Sequence, residues 1–199
     1  MIDIPVGLKN DCYEHCCDKE ARKFIKPRGS SVFRVPCRQA IEAYKKHGED
    51  AGKRKSKEIT GGCLSKQTWA IVEKIAEIND FMQSHKQNIF RKVHPEVCFK
   101  FLNGKALNDN KKNKKGQEER ISICKKYFSS VENLLKNAKT NDVKPDDILD
   151  ALCAAITAKI GDTQGYKTLS EEPQKDSCNL PIEMIITPPN SVWSKLNKF

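Results

Sequence analysis

The 199-residue sequence has no apolar run that approaches the length of a membrane span. Its first residues, Met-Ile-Asp-Ile-Pro, lack the basic and apolar regions of a secretory signal peptide. No internal repeat is present, and nothing in the composition marks a second domain. These absences predict one domain over residues 1–199, located in the cytoplasm and without membrane contact.

Cysteine is abundant, yet the nine cysteines include no Cys-x-x-Cys pair. In a reducing compartment, scattered cysteines are typically small buried hydrophobic residues. Cys12, His15, Cys16 and Cys17 form the one local group with the residue types of a soft-metal site. Zinc sites normally draw on a second ligand pair at a recognisable spacing, and the sequence shows none. Both roles, burial and zinc binding, are therefore open for this group.

The charge of the chain is strongly one-sided. Thirty-six Lys and Arg residues stand against 26 Asp and Glu, which gives a net charge of +10 and a pI near 9.1. Such a balance favours polyanionic partners, with nucleic acid foremost. Lysine is concentrated in residues 53–57 and 111–115. These runs suit either contact with a phosphate backbone or simple solvation.

Three carboxylates lie at the beginning of an otherwise apolar helical pattern. Pro145 marks the start, and apolar residues recur at helical spacing up to Ile160. Asp146 and Asp147 precede Asp150 by four and three residues, so all three lie on one side of the first turns. In one interpretation, Asp146 caps the helix, Asp147 stabilises the helix dipole and Asp150 is solvated. In the other, the three carboxylates bind a divalent cation, which relieves their repulsion.

Two further acids are candidates, one inside a predicted strand and one shortly after another. Asp3 lies inside the apolar segment 2–8, where a buried carboxylate needs a partner or a metal, although a frayed, exposed terminus would also accommodate it. Glu96 follows Pro95 in the opening turn of a predicted helix. It either stabilises the helix dipole or contributes a carboxylate to a metal site.

The periodicities predict an α/β protein. Helices are expected near residues 11–24, 39–47, from Ser65 to about 82, 117–128, 131–138 and from Pro145 onward. Strands are expected near residues 1–6, 88–93 and 182–187. Residues 48–57, which are small and charged, are expected to form a surface loop, and 161–177 a polar linker.

Several short words occur in order along the chain. They are Asp3-x-Pro-x-Gly-Leu8, Cys17-Asp-x-x-Ala-Arg22, Ser30-Ser-Val-Phe33, His94-Pro-Glu-Val-x-Phe99 and the segment from Asp146 to Ala158. Together they resemble a family of predicted RNase H-like nucleases, a domain family of otherwise unknown function. The resemblance runs from Asp3 to about Pro188. It implies an RNase H-like α/β fold, with a mixed sheet flanked by helices.

The resemblance also implies a site and an activity. Nucleases of this fold hydrolyse nucleic-acid phosphodiesters with two divalent cations, Mg²⁺ or Mn²⁺, about 3.5–4 Å apart. The matching catalytic and metal-binding positions are Asp3, Glu96, Asp147 and Asp150, with Asp146 in support. The implied contacts with DNA or RNA are Lys111, Lys112, Arg120 and Arg38.

One departure from the family pattern concerns the beginning of the chain. In the family, several dozen residues precede the Asp3 strand and supply further strands with a central catalytic acid. This sequence begins after them, so the resemblance implies an N-terminally incomplete sheet. A second hypothesis is therefore a catalytically inactive, basic nucleic-acid-binding remnant of the family.

Overall fold

A computed structural model of the protein describes residues 1–12, 14–85, 90–139, 143–170, 172 and 174–187. The described chain is α/β and mostly helical, with small antiparallel sheets, so the predicted class is confirmed. Its helices are α1 (Cys16–Phe24), a 3-10 helix (Arg28–Ser31), α2 (Arg38–His47), α3 (Glu49–Thr60), α4 (Lys66–Ala70), α5 (Val72–His85), α6 (Pro95–Asn103), α7 (Lys114–Lys125), α8 (Val131–Lys139) and α9 (Pro145–Gln164). Its strands are β1 (Lys167–Thr168), β2 (Gln174–Lys175), β3 (Pro181–Ile182) and β4 (Ile185–Ile186). The strand orders are β1–β4 and β2–β3.

The described chain divides into two compact units. The first unit comprises Ile2–Lys92 and Thr168–Ile185, and the second comprises Val93–Lys167 with Met1, Ile186 and Thr187, as far as these ranges are described. Each unit has its own buried apolar residues. The sequence predicts a single domain, and this stays a prediction.

The core of the first unit is built around α2 and α5. Ile75 and Val72 of α5 are 1% and 2% exposed, and they pack with Ile41 of α2 and with Trp69 of α4. Ser65 caps α4 as expected, because its hydroxyl oxygen accepts a hydrogen bond from the amide of Thr68 at 3.2 Å. The predicted helix after Ser65 is interrupted, so α4 and α5 are separate helices.

The second unit is a group of four helices, α6 to α9, that pack on one another. Their buried faces follow helical spacing, as on α9, where every third or fourth residue is shielded from solvent. Fully or nearly fully buried apolar residues of the unit are Val97, Phe99, Leu102, Leu107, Ile123, Val131, Leu149, Ile156 and Ile160. Helix α6 begins at Pro95, as the sequence predicts, and it ends before Gly104, which has a left-handed conformation.

The predicted strands form short backbone pairings in the structure. Ile2 forms a parallel bridge with Lys92, and its amide donates to the Arg91 carbonyl oxygen at 3.0 Å. The Ile185 amide donates to the Lys92 carbonyl oxygen at 2.8 Å. The expected strand 182–187 is divided into β3 and β4, and β2 and β3 pair in an antiparallel register. Residues 88 and 89 of the expected strand 88–93 lie outside the described residues.

The predicted loop over 48–57 is wrong, because Glu49–Thr60 is α3. Gly48, at φ +81°, ends α2 and lets the chain turn directly into α3. Gly52 allows α3 to pack closely on its neighbours, since a Cβ added there would lie 3.0 Å from the ring of Trp69. The charged residues that suggested a loop pair along the helix, as in Lys53 with Glu49 at 2.5 Å. Likewise, the predicted linker 161–177 contains the end of α9 together with β1 and β2.

Within the described residues, no helix combines the length and the apolar composition that crossing a bilayer requires.

The close approach of Gly7 to β3 generates a test of the first unit. An added Cβ at Gly7, which has φ +75°, would lie 2.7 Å from Cγ1 of Ile182. Gly61 has a similar φ of +68° but no atom within 4 Å of an added Cβ. We expect Gly61→Ala to lower the free energy of unfolding by about 1–2 kcal/mol through backbone strain. Gly7→Ala should cost at least about 1 kcal/mol more because of overpacking.

Urea denaturation of the two variants measures the difference. Equal losses would show that β3 does not pack against Gly7 as the structure has it.

Candidate functional site

Two helix N-termini carry the predicted site acids that lie in the second unit. Helices α6 and α9 each begin with a proline, and Glu96 lies in the first turn of α6. Asp146, Asp147 and Asp150, hereafter the α9 aspartates, lie in the first two turns of α9. The positive ends of the two helix dipoles favour negative charge at these positions. The two helices contact each other there, since the buried Cys153 thiol lies 4.0 Å from the Pro95 carbonyl oxygen.

Lys111 lies among the α9 aspartates. Its Nζ donates to Oδ2 of Asp150 at 2.6 Å and lies 3.6 Å from Oδ2 of Asp146. The side chains of Asp146 and Asp150 are 13% and 16% exposed, whereas that of Lys111 is 32% exposed. Burial lowers the pKa of Lys111, but the hydrogen bond to Asp150 and the charges of all three α9 aspartates raise it, and the net shift is upward.

Glu96 is held by a different base. The Arg120 side chain is fully buried, and its Nη2 donates to Oε1 of Glu96 at 2.6 Å. Nη1 of the same guanidinium donates to the Gly116 carbonyl oxygen at 2.9 Å, and the group lies 5.4 Å from the centre of the Phe99 ring. Arg120 thus has a fixed position on the inner face of α7.

The two sets of acids share one electrostatic environment. Burial raises the pKa of Asp150, the hydrogen bond and charge of Lys111 and the charge of Arg120 lower it, and the charge of Glu96 raises it; the net shift is upward. Glu96 therefore lies close enough to Asp150 to influence its ionisation. We call Glu96 and the α9 aspartates together the carboxylate cluster.

Hard, negatively charged oxygens are the ligands that Mg²⁺ and Mn²⁺ prefer, so the carboxylate cluster fits such a cation by donor type. Its four carboxylates and the two basic groups leave two formal negative charges, equal in size to the charge of one divalent cation. The spacing is wider than in a preformed site. Among the described residues, the three-ligand group with all donor atoms within 4.8 Å is formed by other residues, His15, Cys17 and Asp18.

The remaining predicted site residues lie elsewhere. Asp3 is an exposed residue of the first unit, and its charge contributes to raising the pKa of Lys92. Arg38, also of the first unit, donates to Oδ2 of Asp176 at 2.5 Å and is only 12% exposed. Lys112 is exposed beside Lys111. The structure thus brings together Glu96, the α9 aspartates, Lys111 and Arg120, whereas Asp3 and Arg38 belong to the other unit.

The sequence-based reasoning missed the partners of the acids. Lys111 and Arg120 are predicted to contact phosphate, yet in the structure they bind carboxylates. A signal for Arg120 was present, because it follows the buried Gly116 by four residues and precedes the buried Ile123 by three. An arginine on the apolar face of a helix indicates a buried acidic partner.

A second group of buried polar residues was identified only in part from the sequence. Asp18 and Lys92, in the first unit, form a buried ion pair, and His15 and Cys17 lie beside it. Burial lowers the pKa of His15 to about 4 and raises that of Cys17 to about 12. Of the four residues proposed for zinc, Cys16 is exposed and Cys12 is half-buried.

The fold and the carboxylate cluster define a helix-rich α/β protein with a charged centre at two helix N-termini. The chain belongs to the family described as Protein of unknown function (DUF429), whose family model matches residues 1–175. A search of curated proteins and a search of solved structures each returned no match.

The buried pair of Arg120 and Glu96 predicts a large loss of stability when the base is removed. Arg120→Met would leave Glu96 as a buried charge without its guanidinium, at a cost of about 3–5 kcal/mol in unfolding free energy. The control is Lys125→Met on the same helix, since Lys125 binds Glu132 at 2.7 Å with both side chains largely exposed. This change should cost less than about 1 kcal/mol. Denaturant unfolding gives both values, and similar costs would contradict the structural role of Arg120.

The ion pair of Lys111 with Asp150 predicts a change in the pKa of Asp150 when the base is removed. In Lys111→Met we expect the pKa of Asp150 to rise further, because burial then acts without the ammonium that opposes it. When the pKa of a carboxyl group is higher in the folded than in the unfolded chain, the protein loses stability as the pH rises between those two values. Lys111→Met should therefore lose more stability with rising pH than wild type does through this group.

Carboxyl-carbon NMR titration measures the pKa directly. Lys112→Met, at the exposed neighbour, serves as the control and should leave Asp150 unchanged. An unchanged Asp150 pKa in Lys111→Met would mean that the pair does not form in solution.

Proposed function

We propose that the protein is a divalent-metal-dependent hydrolase of nucleic-acid phosphodiesters and that the carboxylate cluster binds the cation. The observation that supports this most strongly is the position of Lys111, whose ammonium donates to Oδ2 of Asp150 at 2.6 Å and lies 3.6 Å from Oδ2 of Asp146. An ammonium between two carboxylates occupies the type of environment that suits Mg²⁺ or Mn²⁺.

Displacement of Lys111 makes room for the metal. Lys111 lies in the segment before α7 and is 32% exposed, so it can leave Asp150 without disturbing a helix. Asp150 and Asp146 would then hold the cation, and Glu96 and Asp147 would complete the ligands. A bound cation would lower the pKa of a water ligand and stabilise charge on phosphoryl oxygens. The released ammonium of Lys111 becomes available to a phosphate.

The charge distribution supports a polyanionic substrate. The chain carries +10 overall although the carboxylate cluster itself is negative. Lys112, Lys114 and Lys115 are exposed and follow Lys111 directly, so a strand bound at the cluster would pass close to them. Such lysines position the sugar-phosphate backbone without reading sequence.

The proposal extends to an RNase H-like fold, in which Asp3 would be one of the catalytic acids. The support for this extension is the sequence word Asp3-x-Pro-x-Gly-Leu8, since the resemblance implies that the acid of this word belongs to the catalytic set.

A specific observation favours the second candidate, a nucleic-acid-binding protein without catalysis. Arg120 neutralises Glu96 in a fully buried position, and Lys111 contacts two of the α9 aspartates. If these ion pairs persist when nucleic acid is bound, the acids are structural. The exposed lysines would then account for the whole function.

The test compares two aspartates on one helix. Asp150→Asn should reduce Mg²⁺- or Mn²⁺-dependent cleavage of DNA or RNA at least about hundredfold, the upper end of the loss that even an outer partner of a metal ligand causes. Asp162→Asn, at an exposed position near the end of α9, should cleave at the wild-type rate. Labelled single- and double-stranded DNA and RNA are incubated with each variant, and product is measured over time.

The two candidates give different outcomes. Cleavage that is lost in Asp150→Asn and retained in Asp162→Asn supports the hydrolase. Salt-sensitive binding without cleavage, with the same affinity in wild type and Asp150→Asn, rejects it in favour of the binding protein.

A further inference from the structure

The beginning of α1 contains a buried group of three different ligand atoms. His15 is the residue before the helix, and Cys17 and Asp18 lie in its first turn. A ring nitrogen of His15, Sγ of Cys17 and a carboxylate oxygen of Asp18 all lie within 4.8 Å of one another. Their exposed fractions are 1%, 0% and 0%. Nitrogen, sulfur and oxygen donors in one small volume are the ligand set of a zinc-type cation.

The hydrogen bonding of this group is incomplete. Neither ring nitrogen of His15 has a hydrogen-bond partner, and Oδ2 of Asp18 has none either. Nδ1 of His15 lies 3.7 Å from that oxygen, which is contact distance but too long for a hydrogen bond. Buried polar atoms without partners are costly, so each one calls for an explanation such as an ion or a water.

Lys92 explains why Asp18 offers a single oxygen to the group. The Lys92 ammonium binds Oδ1 of Asp18 and leaves Oδ2 directed towards His15. Ligating carboxylates are commonly held in this way by a hydrogen bond to their second oxygen. Lys92 thus positions Asp18. Its positive charge also repels a metal ion bound beside it, so the affinity of this group for a metal ion is moderate.

From this arrangement we propose that His15, Cys17 and Asp18 form a binding site for Zn²⁺ or a chemically similar borderline-soft divalent cation. On binding, the S–H bond of Cys17 breaks, its proton leaves to water, and a sulfur–metal bond forms. His15 contributes a ring nitrogen and Asp18 contributes Oδ2. Three protein ligands leave one coordination position for a water or another donor.

This site is independent of the proposed hydrolase. The carboxylate cluster lies in the second unit and offers oxygen ligands, which suit Mg²⁺ or Mn²⁺. The site at α1 lies in the first unit and includes a thiolate, which suits Zn²⁺ or Co²⁺. Loss of one site need not affect the other. Cleavage of nucleic acid reports on the carboxylate cluster, and metal binding by a thiolate reports on the site at α1.

Cobalt is the probe, because a thiolate bound to Co²⁺ gives a sulfur-to-metal charge-transfer band in the near ultraviolet. The full-length protein is titrated with Co²⁺ alone under reducing conditions. Wild type should show the band at one equivalent per chain, and added Zn²⁺ should abolish it. Cys17→Ser should lose the band, and His15→Gln should raise the Kd for Co²⁺ at least about tenfold, the least that disturbing even an outer partner causes.

The matched control is Cys16→Ser. Cys16 is adjacent in sequence but exposed, so this variant should retain the band and the affinity. Wild type without a charge-transfer band, or a band that is lost in Cys16→Ser and retained in Cys17→Ser, would overturn the proposal.

A measurement on wild type keeps the proposal testable if Cys17→Ser does not fold. X-ray absorption of the zinc-loaded protein should show one sulfur ligand together with nitrogen and oxygen ligands. Zero sulfur ligands, or two or more, would overturn the assignment.

Discussion

In each unit a buried basic side chain binds a buried carboxylate. In the first unit Lys92 binds Asp18, and in the second Arg120 binds Glu96. A buried charge without a partner would cost several kcal/mol, so each acid requires its base for the unit to fold. Because both partners of each pair come from separate parts of the chain, the ion pairs also join the elements that carry them. Arg120 fixes α7 to the first turn of α6, and Lys92 fixes the segment before α6 to α1.

The exposed fraction of the side chains distinguishes the buried ion pairs from those near the surface. Arg120 and Asp18 have no measurable exposure, and their partners are less than a tenth exposed. Lys111 differs, since it is 32% exposed while it contacts two acids. A replacement of the buried bases would disturb the fold, whereas a movement of Lys111 would not. Lys111, a partly exposed base, thus lies where the proposed cation would bind.

Local signals in the sequence predicted the starts of several helices. Pro95 and Pro145 mark the starts of α6 and α9, and the hydroxyl of Ser65 caps α4, since these effects act within one turn. The error at α3 has a local cause too. Its charged residues resemble a loop, and the packing of Gly52 on Trp69, which joins residues 17 positions apart, was not visible in the pattern.

The site could be predicted only in part, for the same physical reason. The acids were recognisable because they lie in short sequence words that resemble a known family, each word spanning residues close together in the chain. Their bases were not, since Arg120 lies 24 residues from Glu96 and Lys111 lies 39 residues from Asp150. The same holds for Lys92 and Asp18, 74 residues apart. Pairings at such separations depend on the tertiary fold.

Competition between Lys111 and a divalent cation sets the conditions under which the proposed site would operate. The ammonium donates one strong hydrogen bond to Asp150, but it carries a single charge against the three α9 aspartates. A divalent cation brings twice that charge and coordinates several oxygens at once, so it gains more from the same cluster. It must first break the Lys111 pair, and this cost lowers its apparent affinity. A phosphate that receives the displaced ammonium would offset the cost. Cation and polyanion should therefore bind cooperatively, each making the binding of the other more favourable.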